Sequence, residues 1–405
     1  MADALDPLRI SRFDPAPCGF SPPRVSLLPR RASWGKGGPE SVFLGSGNLF
    51  FSRGRYALRA ALRALAFGPG DQLLVPSYHC RTMLDPALDL GGHVAFYPLM
   101  PSLALRMNVL ERIVQGGGGS FKALLYPHYF GFPQSLTEVA AFCRQQGIAL
   151  IEDCSHAFFG TSDVGPVGSA GDFAIASPYK FFPSEDGGIV RQNGRLAGEA
   201  RLQLPSRRDW KREARGGASL LKQWLVSPKP VVLSGAPHLL GSSVLPPPAV
   251  ECVEVDCAPS SNYLASEVGL YGQYASAWIM THADRTHLAG ARRARFIEWL
   301  SVVEALPRCR PLVRELPEGV VPYMFPLLLD EGEADFYRLK QLGMPIWRWD
   351  DMAVSECEVA SRYRKRLIHL PCHQALGDSE MNWMSLALRT VLSPVRADAS
   401  RSAEV

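Results

Sequence analysis

The chain has 405 residues, 47% of them apolar and 20% charged, with a formal net charge of +4. That length allows two or three domains with buried cores, and so small a charge, with Lys and Arg scattered among Asp and Glu, excludes an electrostatic footprint for nucleic acid. No stretch approaches the roughly 18 apolar residues of a membrane span, and "MADALDPLRISRF" has an acid at position 3 and no apolar signal-peptide core, so a cytoplasmic location is expected.

The first 44 residues or so read as an N-terminal extension. From about Phe50 to Asn193 helical patterns alternate with short apolar runs, which is the pattern of an α/β sheet covered by helices. "GRYALRAALRALAFGPGDQ" has Ala and Leu at helical spacing and is expected to stop at Gly68, Pro69 and Gly70. Strands are expected at 72–77, 93–98, 122–127, 148–153, 172–177 and 188–192. The segment 135–147 reads as a helix with Ser135 as N-cap, Glu138 closing a capping box and Gly147 as C-cap. "GGGG" (116–119) reads as a flexible connector, and the Arg-rich run 201–217 as a solvated helix face.

"LPPPA" (245–249) reads as a rigid linker, dividing a large domain, 1–245, from a smaller C-terminal domain, 246–405. In the smaller one, long helical periodicity over 265–306 precedes a strand at 323–330, a helix at 334–343, a strand at 367–371 and a final helix through 380–392. The nine cysteines are irregularly spaced without a C-x-x-C pair, as expected of reduced thiols and not of a metal site.

Several expected strands end in polar or turn residues, among them Ser77, His128, Asp153 and Ser177, and open α/β sheets bind ligands at those ends. Residues 177–180, "SPYK", admit two chemistries. One is acyl transfer with Ser177 as nucleophile and Lys180 as its base; it lacks a following K-T-G and an export signal. The other takes Lys180 as a covalent Schiff-base residue for pyridoxal phosphate. That cofactor needs an amine, a carboxylate at its ring nitrogen, phosphate ligands and a flat group against the ring. Asp153, at a strand end in the neighbouring motif "EDCSHA", offers the carboxylate.

The ordered motifs "VPSYHC", "YPHYFGFPQSLTEVAAFCRQQGIALIEDCSHAFFG" and "GPVGSAGDFAIASPYKFFPSEDGGIVRQN" resemble the DegT/StrS family, pyridoxal-phosphate-dependent aminotransferases of fold type I that often aminate nucleotide-linked keto sugars. The resemblance runs from about Gly45 to Asn193 and resumes at "SNYLASEVGLYGQ" (261–273). It implies a large domain with a mixed, mostly parallel seven-stranded sheet between helices, a smaller α+β domain, pyridoxal 5'-phosphate as cofactor, and a homodimer with shared active sites. It also implies a small-molecule amino donor and a keto acceptor. By the same resemblance, Lys180 carries the Schiff base and Asp153 partners the pyridinium, while His156 approaches the phenolic oxygen. Ser177 and the backbone N–H groups of Arg55 and Tyr56 donate to the phosphate, and Asn262 reaches a phosphate across the dimer interface.

The chain departs from the family pattern in places. Cys80 stands where an aromatic residue usually stacks on the ring, and His79 beside it is nominated for that role. Leu264 replaces an arginine, removing a cation that would face an anionic substrate group. "MPIWRWDDM" (344–352) offers Trp347, Arg348 and Trp349 to a substrate pocket or to a buried strand. Two further readings remain open: a non-transaminating pyridoxal-phosphate enzyme (lyase, substitution or carbon–carbon chemistry) and a non-catalytic regulator that binds the cofactor.

Overall fold

The computed structural model describes residues 8–116, 120–194, 201–225, 250–256 and 258–393. Helices cover both faces of its main sheet, so the strands can be apolar throughout: Leu73, Leu74, Val75, Leu124, Leu125 and Ile151 are all fully buried. Across this sheet the order is Leu49–Phe51, Gly188–Gln192, Phe173–Ala176, Ala149–Asp153, Ser120–Pro127, Asp71–Pro76 and His93–Tyr97. The last five run parallel, and Gly188–Gln192 is antiparallel to both its neighbours. Six of the seven strands are those expected from the sequence, Leu49–Phe51 was not foreseen, and the mixed, mostly parallel seven-stranded pairing is the one the family resemblance implies.

Helix Gly54–Ala64 buries Tyr56, Ala57, Leu58, Ala61 and Leu62 against this sheet and ends before the Gly-Pro-Gly expected to stop it. The helix after Pro133 spans Thr137–Gln146 and closes on Gly147 at φ 68°, as expected. Ser135 is not its N-cap. Asp163 arrives from a hairpin 26 residues on and accepts from the Leu136 and Thr137 amides and from the Ser135 and Thr137 hydroxyls. A carboxylate at a helix start also meets the positive end of the helix dipole, and these bonds hold the Asp163 pKa far below the usual range although partial burial opposes them.

The extension contributes structure of its own. Leu8–Asp14 lies between Val250–Asp256 and Met352–Ala353 in a three-stranded antiparallel sheet, joining residues that are hundreds apart. A further antiparallel sheet, Cys309–Pro311, Met324–Leu329 and Leu367–Pro371, packs with helices Arg285–Glu304, Gly332–Gln341 and Asp378–Leu392 around Trp299, Phe325 and Met384. The expected long helix over 265–306 is two, Tyr274–His282 and Arg285–Glu304, because Ala283 is extended and Asp284 caps the second by accepting from the His287 amide.

Helix Trp210–Leu225 contains part of the Arg-rich run, but its arginines are not merely solvated: Arg212 pairs with Asp186 and Glu267, and Arg208 with Glu213. The proposed linker 245–249 and residues 117–119 of the glycine run lie outside the described residues.

Candidate active site

Parallel pairing places the chemistry. Strand Phe173–Ala176 is hydrogen-bonded to Ala149–Asp153 with Ile175 opposite Asp153, so the turn that follows at Ser177 to Lys180 emerges beside that carboxylate. Asp153, Ser155, His156, Ser177 and Lys180 line one cavity of about 440 Å³ at the carboxyl ends of the strands. Asp153 is nearly enclosed and accepts from the Ser155 amide at 2.9 Å. Glu152, next to it, is fully buried and accepts from the Gly168, Ala170 and Gly171 amides at 2.9, 2.6 and 2.6 Å. His128 completes this support: its Nδ1 accepts from the Gln134 amide, which leaves the proton on Nε2, 3.2 Å from Glu152.

Opposite stands the start of helix Gly54–Ala64. The Gly54 and Arg55 amides occupy the first helical positions, which have no acceptor within the helix. Both residues line the cavity. The buried Ser177 hydroxyl lies beside them and donates to the Ser155 hydroxyl at 3.1 Å. A Cβ on Gly54 would fall 2.4 Å from Ser177 Oγ, so this cradle of hydroxyls and amides needs glycine there. Helix-start amides with adjacent hydroxyls form a ready anion site.

Lys180 Nζ lies 5.5 Å from the centre of the Tyr323 ring. His156 packs on the same ring at 4.5 Å between centroids, and its Nδ1 accepts from the Phe130 amide. Burial, then the nearby Lys180 charge and the neighbouring His369 ring, hold the His156 pKa well below the ordinary imidazole value. His369 also lines the cavity; its Nε2 meets the Tyr78 hydroxyl at 3.1 Å, and burial followed by the Lys180 charge takes its pKa down to about 3.

Arg292, fully buried, holds the lysine turn in place by donating to the carbonyls of Lys180, Phe181, Pro322 and Tyr323 and to the Gln374 side chain. Sequence reasoning missed both His369 and Arg292. Each lies more than a hundred residues from Lys180, and no local motif marks them.

Three expected roles meet a different geometry. The Tyr56 amide is spent inside its own helix, donating to Arg53 O at 3.1 Å, and the side chain lies in the core with its hydroxyl donating to Leu264 O. His79 does not line the cavity. It is fully buried, stacked on Phe96 at 5.3 Å, and accepts from the Ala353 amide; Cys80, one residue on, lines the cavity instead. Asn262 lines the cavity of its own chain, where its carbonyl accepts from the Arg55 guanidinium.

Residues 48–212 match the model of the DegT/DnrJ/EryC1/StrS aminotransferase family. The UDP-N-acetyl-3-dehydro-alpha-D-glucosamine 3-aminotransferase of Acidithiobacillus ferrooxidans is 30% identical over 142 residues, 35% of this chain and 37% of that protein. That match therefore takes in little more than a third of the relative's length. Among solved structures, the aminotransferase TlmJ from Streptoalloteichus hindustanus has a TM-score of 0.59 at 21% identity, covering 85% of this chain and 86% of that one. The structure of ntda from Bacillus subtilis with bound cofactor PMP has a TM-score of 0.56 at 14% identity, covering 85% and 73%. Residues 48–212 thus match the DegT/DnrJ/EryC1/StrS aminotransferase family, on a fold that solved aminotransferases share.

Proposed function

We propose that the protein is a pyridoxal-phosphate-dependent aminotransferase that moves an amino group from an amino acid to a keto acceptor of the keto-sugar or a related biosynthetic class. The observation that carries this reading is the gathering of Lys180, Asp153 and the Ser177 cradle around one cavity. Bound there, pyridoxal phosphate supplies an aldehyde and a pyridine ring that accepts electrons. Asp153 would hold the proton at the ring nitrogen. The Ser177 hydroxyl and the Gly54 and Arg55 amides would bind the phosphate. Lys180 would attach to the aldehyde and then move the proton at the substrate carbon, with Arg292 fixing its backbone. His156, kept uncharged by burial and with its Nδ1 accepting from the Phe130 amide, would donate from Nε2 to the ring's phenolic oxygen.

Titrating amino acids such as glutamate into the protein saturated with pyridoxal phosphate tests the reading. Loss of the visible absorbance band in favour of a near-ultraviolet one, restored by a keto acid, is the expected result. A spectrum indifferent to every amino acid would refute aminotransfer.

The homodimer is also proposed. Helix Trp210–Leu225 exposes Trp210, Leu221, Trp224 and Leu225, an apolar face that a second copy would cover. The eight described cysteines form no disulfide among themselves, and no helix of the described residues is long and apolar enough to cross a membrane; both agree with the proposed cytoplasmic location.

A further inference from the structure

A second cavity of about 460 Å³ adjoins the first, and Cys80, Thr82, Asn262, Trp347 and Trp349 line both. None of the chemistry assigned to Asp153 and Lys180 uses it. Its walls come from distant parts of the chain: Phe13 and Phe20 from the N-terminal extension, Phe336 and Lys340 from helix Gly332–Gln341, and the segment 346–351. Phe13 and Phe20 both meet Phe336 edge-on, at 6.4 and 6.1 Å, and Trp347 stands 55% exposed where the two cavities meet. Walls made of ring faces and edges favour a flat apolar group.

The cations of this cavity are not equivalent. Arg81 is committed to Asp85 at 3.1 Å and to Ala258 O at 2.8 Å. Arg348 lies over the Phe336 and Phe13 rings at 3.9 and 4.7 Å and pairs with Asp350. Lys340 differs: half-buried, 5.8 Å from the centre of the Phe20 ring, it forms no ion pair among the described residues. Burial pushes its pKa down, with Asp350 opposing the shift. With Asp350 and Asp351 also in the wall, the lining carries a net single positive charge.

We propose that this second cavity receives the part of the keto acceptor remote from its carbonyl, a flat apolar or aromatic group bearing one anionic substituent that pairs with Lys340. The inference rests on the aminotransfer reading, since contiguity with that site is what makes the cavity part of the acceptor's path. It departs from a pyrophosphate-linked sugar, whose link carries more than one negative charge and would meet one uncommitted cation beside two carboxylates.

Isothermal titration of the full chain saturated with pyridoxal phosphate tests the proposal, with 2-naphthoate, the uncharged 2-naphthylmethanol and UDP as probes. We expect 2-naphthoate to bind about tenfold more tightly than the alcohol and UDP to leave it undisplaced. Lys340→Met removes that preference, and Phe20→Ala weakens both naphthyl probes about tenfold. UDP displacing 2-naphthoate, or a preference unchanged in Lys340→Met, would overturn the proposal.

The absorbance change with amino donors, recorded on the same samples, separates the two readings. If it persists in all three proteins while 2-naphthoate fails to bind, the cavity inference alone is lost. If the wild-type protein shows none, the aminotransfer reading fails and the acceptor role of the cavity falls with it.

Discussion

Replacing Arg292 with leucine removes a guanidinium that serves four backbone carbonyls in the core. Phe181 O keeps a donor, Gln374 Nε2 at 2.7 Å. Lys180 O, Tyr323 O and Gln374 Oε1 lose their donor while Pro322 O keeps the Cys372 thiol at 3.8 Å, and each buried acceptor left unsatisfied costs about 1–2 kcal/mol. Burial pushes the Arg292 pKa down to about 10, a sign that desolvating the charge is itself unfavourable. Relief of that strain offsets part of the loss, leaving a net destabilisation of about 4 kcal/mol. Urea unfolding followed by tryptophan fluorescence measures it, with the fully buried Trp299 as a reporter. Because the same bonds fix the Lys180 backbone, the folded variant should also convert more slowly with amino donors at saturating cofactor. A loss below about 1 kcal/mol, with an unchanged conversion rate, would refute the argument that Arg292 clamps the lysine turn.

Gly54→Ala should drive the Ser177 hydroxyl from its place, since the new Cβ lies 2.4 Å from it, and lower pyridoxal phosphate affinity at least tenfold in a fluorescence titration. Gly188→Ala meets backbone and not a rotatable side chain: its Cβ would lie 2.1 Å from the Arg53 carbonyl, and the expected cost is about 3 kcal/mol in urea unfolding. Acid should destabilise the fold through histidines that burial keeps uncharged. His79, His369 and His373 are each held at about 3, whereas an unfolded imidazole titrates at about 6.5. Between those values the unfolded state binds more protons, so their contribution is complete above about pH 6.5 and is lost progressively as pH falls toward 3. At pH 5.5 the three together cost about 4 kcal/mol, which unfolding curves at pH 7.5 and 5.5 would read directly.

Much of the main sheet was legible because its strands are apolar on both faces, and a run such as "KALLYP" has few alternatives once turn residues bound it. Leu49–Phe51 escaped because three residues leading into a helix show no periodicity. Leu8–Asp14 escaped because its partners lie beyond residue 249. The Ser135 capping box had the right letters, but Asp163, brought in by tertiary folding, offers a charged acceptor to the same amides and displaces it. His79 shows the limit of reading a wall from neighbours in sequence. Along extended chain successive side chains point to opposite faces, and Cys80 takes the cavity side while His79 stacks on Phe96 in the core. The joining of Asp153 to Lys180 was legible because both sit at ends of strands that pair. The contributions of Arg292, His369 and the second cavity depend on segments that meet only in the folded chain.

Reducing the protein saturated with pyridoxal phosphate with borohydride and mapping its peptides by mass spectrometry tests the central claim most directly. The account predicts the reduced cofactor on Lys180 alone, with none on a Lys180→Ala variant. A chain that carries no adduct, or carries it on another lysine, would contradict it.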